Sequence, residues 1–476
     1  MSPTAKEPCL PLVNTVVLLG PDHAQQRASG LKAAKIAAAA ALGLFALSQS
    51  CAPDFIGTRL FAPPLGFPEK IQRQWGQYSP YFPAGKYIPP PSSCSITQVN
   101  ILQRHGARYP NGDDDYDVAV KHLLAADEFR DSNLYFLRDY EYQLKQDVLI
   151  PFGAEQSFEA GEIAYRRYGH LVSEHNLPFI RAASKPRVVS TAGNWTVGFA
   201  AASTHHYNPS VNVIISEEKN NTLNNDCPNA DDGTKEKNQW LDVFAPSIVK
   251  RLKHAAKGAK IKTEDIHRLL ALCPFETIAF EQPSPFCGLF TDEEFNAMEY
   301  YGDVEKYYKT GYGNSLGPVQ GVGYVNELIS RLTGRPVQDS TQHDPSLSFP
   351  LGRTLYADFT HENLMVAVFS AMGLFNFSEG LNPKKMDENR GWVASRMVPF
   401  SARMVVERLA CYGSGTEDED EEGEEEEYVR VLVNDELQPM EFCGAGKDGL
   451  CTLDGFVQSQ EYARRSGNGD FEKCYN

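Results

Sequence analysis

No Cys-x-x-Cys pair occurs anywhere in the 476 residues, so the ten cysteines offer no zinc-ligand spacing. Basic residues are in deficit: Lys and Arg total 45 against 62 acids, a net charge of −17. That balance lacks the positive footprint that nucleic-acid binding requires. The apolar run Ile36–Leu47 is shorter than the ~20 residues needed to cross a bilayer comfortably. No sequence repeats itself at a fixed period, which sets aside solenoids and propellers. Cys443-Gly-Ala-Gly-Lys447 lacks the spacing and the following Ser or Thr of a P-loop, and Gly317–Gly323 carries no dinucleotide fingerprint.

What is present is ordinary for a large globular enzyme. Hydrophobic residues make up 42% and charged residues 22%, and the length suits a sizeable core in two domains or subdomains. Ten of the acids fall between Glu417 and Glu427, so the remainder carries only −7. Like charges clustered this way repel and read as a solvated loop.

The N-terminus reads as an export signal. Basic residues Lys6, Arg27, Lys32 and Lys35 precede the run Ile36–Leu47, and small residues Ser48 and Ser50 follow it. Residues 1–50 are therefore expected to be a leader, cleaved near residue 50 or kept as an anchor with the rest outside the cytosol. Eight further cysteines (Cys94, Cys227, Cys273, Cys287, Cys411, Cys443, Cys451 and Cys474) form an even set fit for disulfides in an exported chain, though spacing alone leaves 105 connectivities open. Cys9 and Cys51 fall in the leader region. Sequons at Asn194, Asn220 and Asn376 suit the same compartment.

Residues 51–93 are proline-rich and read as an extended lead-in. Strands are expected near 96–103, 178–182, 354–359 and 428–433. Helices are expected over 123–172, from Arg187, over 364–374 and over 401–412. Strands alternating with helices imply an α/β fold, a mostly parallel sheet covered on both faces. The helix-rich stretches, roughly 120–175 and 210–320, would form a smaller inserted domain within a catalytic region spanning 94–476.

Three of these strand ends place polar residues where an open α/β sheet binds ligands. The first supplies Arg104, His105 and Arg108, the second Arg187, the third His361 and Glu362. A single arginine is more often a surface ion pair. Three at equivalent positions match a phosphate, because each guanidinium presents a planar fork to two oxygens. Cations flanking His105 disfavour its imidazolium, leaving a ring nitrogen free to attack phosphorus in acid. Arginines supply the charge neutralisation, so no metal or other cofactor is expected. Glu362, opening a helix, can protonate a leaving alkoxide and then activate water. The acids Asp113-Asp114-Asp115 would repel an anionic substrate if they faced inward; the simplest reading turns them outward.

Arg104-His105-Gly106-Ala107-Arg108-Tyr109-Pro110 resembles the RHGxRxP motif of the histidine acid phosphatases. WGQYSPYFP (75–83), SPFCGLFT (284–291), GPVQGVGYVNELISRLT (317–333), FSAMGLFN (369–376) and PFSARMVVERL (399–409) extend the similarity, in order, to the fungal phytases of basidiomycete type. The resemblance implies that His105 becomes phosphorylated while Arg104, Arg108, Arg187 and His361 grip the scissile phosphate. It prefers Arg187 to Arg181 and places Lys306 against other phosphates of the substrate. It implies the disulfides Cys94–Cys411, Cys227–Cys474, Cys273–Cys287 and Cys443–Cys451. The substrate would be a small phosphate monoester, phytate foremost, with no protein partner. The alternatives are a broader acid phosphatase or a weakly catalytic inositol-phosphate-binding glycoprotein. The family writes His-Asp where this chain has His361-Glu362, so Glu362→Asp is expected to raise turnover or leave it unchanged. His343-Asp344 also reads His-Asp, but no strand precedes it.

Overall fold

Strand β1 (Cys94–Arg104) runs through the middle of the sheet, and everything from Gln98 onward is buried. The computed structural model describes residues 65–476 except 113, 219–220, 342–348, 378 and 413–424. The expected leader, the front of the lead-in, Asp113, Asn220, His343-Asp344 and most of the acidic run lie outside the described residues.

The remaining strands are β2 (Phe179–Ala183), β3 (Val213–Ile215), β4 (Leu355–Thr360), β5 (Arg403–Tyr412), β6 (Glu425–Val433), β7 (Glu436–Leu437) and β8 (Cys451–Thr452). They lie in the order β8-β6-β5-β1-β4-β2-β3, with β7 beside β6. Strands β1, β4, β2 and β3 pair in parallel, while β5, β6, β7 and β8 extend the sheet antiparallel. The parallel half is the part that positions the site. Its register aligns Arg104 with Thr360, Ala182 with Phe359 and Ala183 with Ile215, so four carboxyl ends finish side by side. All six residues of β4 are buried, as a parallel strand covered on both faces requires. This is the expected α/β class.

Residues 401–412 correct an expectation: the segment forms β5, not a helix. Val405 and Val406 favour an extended backbone, and the strand is inserted between β1 and β6 with nearly every residue buried. A strand buried on both faces shows no two-residue alternation, which is why its apolar run resembled a helix. The stretch 123–172 is only partly helical. Helix α1 (Tyr116–Leu124) ends early, residues 139–150 form a loop, and α2 (Pro151–Tyr168) resumes at a proline suited to a helix start.

Helix α3 (Pro186–Ala202) packs on α2 at glycine contacts. A Cβ at Gly161 would lie 2.0 Å from Trp195 O, and one at Gly198 would lie 1.9 Å from Phe158 O. The two backbones meet there, so no side chain fits. Helices α4 (Thr234–Ala255), α5 (Thr263–Phe280) and α6 (Asp292–Lys309) pack on one another. A capping box of Thr291 and Glu294 starts α6, whose last turn carries Lys306. Helices α7 (Val322–Thr333) and α8 (Glu362–Met372) follow. The four disulfides are those implied by the resemblance, and Cys94–Cys411 ties β1 to β5 at directly paired positions.

Candidate active site

Arg104 closes β1 with its side chain fully buried. Its Nη1 donates to the carbonyls of Gln77 and Val398, and its guanidinium stacks 4.6 Å from the Phe400 ring centroid. Burial lowers its pKa to about 10, with the Glu362 carboxylate opposing that shift, so it stays cationic in acid.

His105 follows, pinned by its backbone: its N–H donates to Thr360 O, and its carbonyl accepts from Ser401 N–H. The ring is fully buried, with Nδ1 2.9 Å from Gly106 O. A carbonyl can only accept, so Nδ1 carries the proton and Nε2 keeps its lone pair. Nε2 is buried and has no hydrogen-bond partner among the described residues. Burial holds the imidazole well below its ordinary pKa, with Arg104, His361 and Arg108 adding to the effect and Glu362 opposing it. The sequence expectation credited the flanking cations; desolvation is the larger cause.

The loop behind His105 is fixed by close packing. A Cβ on Gly106 would lie 2.3 Å from Gly153 O, so only glycine lets α2 approach. Gly106 N–H donates to Thr191 Oγ1 at 2.9 Å, and that hydroxyl donates to Arg187 O. One short chain of bonds thus links the β1 end to α3.

Arg108 is buried, with Nη1 on Tyr109 O. Arg187, the second residue of α3, is partly exposed, with Nη1 3.4 Å from Asp147 Oδ1. Burial lowers its pKa and the Arg108 charge adds to this. Arg104 Nη2, Arg108 Nε and Arg187 Nε are buried without a hydrogen-bond acceptor among the described residues. Donors left unpaired in a protein interior are costly, and an oxyanion is the group that would satisfy several at once.

From the β4 end, His361 sits at the N-cap of α8, and its ring meets that of His105 edge-on at 5.4 Å. Its Nε2 lies 3.0 Å from Glu217 Oε1. Glu362 reaches inward: Oε2 is 3.0 Å from Arg104 Nε and 3.8 Å from His105 Nε2, and Oε1 is 3.5 Å from Lys306 Nζ. Burial alone would raise its pKa, but Arg104, Lys306, His105 and Arg108 outweigh that and hold the carboxyl well below its usual range. Glu362 therefore rests as a carboxylate. Phosphate charge set among the same cations would oppose this and favour its protonated form. Lys306 is buried, its Nζ 2.9 Å from Asn363 Oδ1.

The structure brings all seven anticipated residues together. Arg181 belongs elsewhere, as expected: it is fully buried and paired with Asp358 and Glu327 at 2.6 Å each, with Arg331 completing the cluster. Asp114 is half-buried, its pKa raised by burial with the Arg108 charge opposing that rise. Asp115 lies 3.8 Å from Arg268. Glu217, Thr191 and Asn363 went unnoticed in the sequence. Glu217 was findable only by recognising β3, three residues long, as a fourth strand end.

The arrangement can hold a tetrahedral anion in front of an uncharged nucleophilic nitrogen, with a carboxyl group beside it. Residues 95–434 match the family described as histidine phosphatase superfamily (branch 2). The chain is 41% identical over 433 residues to "Phytase A" of Arthroderma benhamiae, covering 85% of this chain and 92% of the relative. It is 37% identical over 429 residues to "Phytase A" of Aspergillus oryzae, covering 84% and 90%. The crystal structure of the phytase from D. castellii shares the fold, with a TM-score of 0.69 at 23% identity over 86% of this chain and 88% of that one. The Bifidobacterium longum multiple inositol polyphosphate phosphatase, apo form, aligns with a TM-score of 0.61 at 15% identity, covering 80% and 96%.

Proposed function

The chain belongs to the histidine phosphatase superfamily, branch 2, and from that premise we propose that it is a phytase releasing phosphate from inositol hexakisphosphate through a phosphohistidine. The observation that carries the reading is the set of buried, unpaired guanidinium nitrogens around the free lone pair of His105 Nε2. Arg104, Arg108, Arg187 and His361 bind the scissile phosphate. The lone pair of Nε2 attacks phosphorus, and the bond to the inositol oxygen breaks. Glu362, protonated once phosphate charge lies among its neighbouring cations, gives its proton to that oxygen. Glu362 then takes a proton from water, whose oxygen attacks the phosphohistidine, releasing inorganic phosphate and restoring neutral His105. Lys306, buried beside Glu362, faces the substrate's other negative charge.

Release of phosphate from inositol hexakisphosphate tests this, set against an aryl phosphate and run with chelator present. Turnover of phytate that resists chelator is expected. Turnover of the aryl ester alone would favour a broad acid phosphatase, and binding without turnover a silent protein. Export fits the same reading, because four disulfides form and persist in oxidising compartments. Of the described sequon asparagines, Asn376 is exposed in the loop after α8, whereas Asn194 lies within α3. Asn376 is therefore the better glycan acceptor.

A further inference from the structure

Glu217 stands two residues beyond β3 and touches two segments that grip phosphate in the proposed function. Its Oε1 lies 3.0 Å from His361 Nε2, at the β4 end. The same oxygen accepts the backbone N–H of Lys185 at 3.0 Å, at the turn that leads into Arg187 and α3. Its own N–H donates to Ser184 Oγ, so the side chain is fixed from behind. Both Glu217 and His361 are close to nine-tenths buried, with side-chain exposures of 12% and 13%. The mechanism above uses neither contact.

A carboxylate accepts and never donates, so Nε2 must carry a proton wherever this bond exists. The other nitrogen, Nδ1, is left for the substrate side. If the ring held one proton, Nδ1 would offer a lone pair to an anionic phosphate. Two protons let it donate at both ends, to the carboxylate and to the phosphate. Glu217 is held toward its ionised form: burial works against ionisation, but the bonds from His361 and Lys185 N–H outweigh this and lower its pKa. The other charged groups around the ring are Arg104, His105 and Arg108 from the β1 end, Arg187 and Lys185 from the α3 turn, and Glu362 on its own helix.

We propose that Glu217 is a positioning residue for phosphoryl transfer: its carboxylate holds His361 so that one ring nitrogen donates to Glu217 and the other to the scissile phosphate, while tying the Arg187 turn to the same point. This rests on the reading that His361 grips the phosphate.

The test is a double-mutant cycle on phytate turnover, with Glu217→Gln and His361→Ala made singly and together. Glu217→Gln is expected to lower kcat/KM by roughly 10- to 100-fold, the range typical when a histidine loses its carboxylate partner. In the His361→Ala background the same change should cost less than about 3-fold, because coupled residues are not additive. Glu217→Asp, which keeps the charge on a shorter arm, should recover part of the lost activity. An equal loss in both backgrounds, or a Glu217→Asp variant no better than Glu217→Gln, would overturn the proposal. If His361→Ala alone leaves kcat/KM unchanged, the reading of His361 fails first, and the two failures are told apart.

Discussion

Glu362→Gln should separate leaving groups. The substitution keeps the shape of the side chain and removes its charge and its transferable proton. Glu362 Oε2 lies 3.8 Å from His105 Nε2, and in the proposed function its carboxyl protonates the oxygen of the phosphorus–oxygen bond that breaks. General-acid assistance to a poor leaving group contributes about 100- to 10,000-fold. An inositol alkoxide needs that proton, whereas 4-nitrophenolate leaves without it. With phytate, kcat is therefore expected to fall by about 100-fold or more, or ~2.7 kcal/mol of barrier. With 4-nitrophenyl phosphate, kcat/KM, which reports only transfer to His105 and departure of the leaving group, should fall by less than about 10-fold. KM should hold or decrease, because the carboxylate that neutralises Arg104 and Lys306 at 3.0 and 3.5 Å becomes a neutral amide and leaves both cations to the phosphate. Steady-state kinetics on the two substrates, each across acid pH, measures all of this. Equal losses of kcat/KM on both esters would refute the assignment of Glu362 as the acid, and so would a phytate kcat within a few-fold of the parent.

The geometry reverses the sequence-based expectation for Glu362→Asp: shortening the arm by about 1.5 Å draws the carboxyl away from Arg104 and Lys306, and kcat should drop roughly 10- to 100-fold, where an unchanged or higher kcat would show the longer arm to be dispensable. Glu299 gives a stability prediction. It is fully buried, accepts from Gly76 and Ser395 N–H, and has its pKa raised by burial and by neighbouring Asp303. The folded state thus holds this proton more tightly than the unfolded chain, so stability should fall as pH rises from the ordinary carboxylate range, about 4.3, toward neutrality. Glu299→Gln should shrink the Tm difference between pH 5 and pH 8, and an undiminished difference would place the dependence elsewhere. Removing Cys273–Cys287, whose partners are 14 residues apart, as the double alanine variant should cost about 3 kcal/mol in denaturant unfolding; a change under about 1 kcal/mol would contradict a stabilising role.

The parts of the site that could be read from sequence are those where one strand end writes several polar residues in a row. Arg104, His105 and Arg108 do so, and β1 ahead of them is an unbroken buried strand. His361-Glu362 after β4 is legible for the same reason. What could not be read is what depends on neighbours remote in sequence. The desolvation that dominates the chemistry of His105 comes from Phe400, α2 and the His361 turn packing around it, which no flanking residue announces. Lys306 reaches Glu362 across 56 positions, and Glu217 reaches His361 across 144. Strand β5 was mistaken because burial on both faces erases the alternation that marks a strand, and β3 because three residues carry too little pattern.

The central claim is that the free Nε2 of His105 receives the phosphoryl group. Rapid mixing of the folded parent enzyme with phytate, and of Glu362→Gln, which slows water attack but not departure of a good leaving group, with 4-nitrophenyl phosphate, followed by quenching and peptide mass spectrometry, reads this directly. The phosphoryl group is expected on His105, and His105→Ala should lose both the label and turnover. A label on another residue, or turnover by a folded His105→Ala protein within about 10-fold of the parent, would contradict the account.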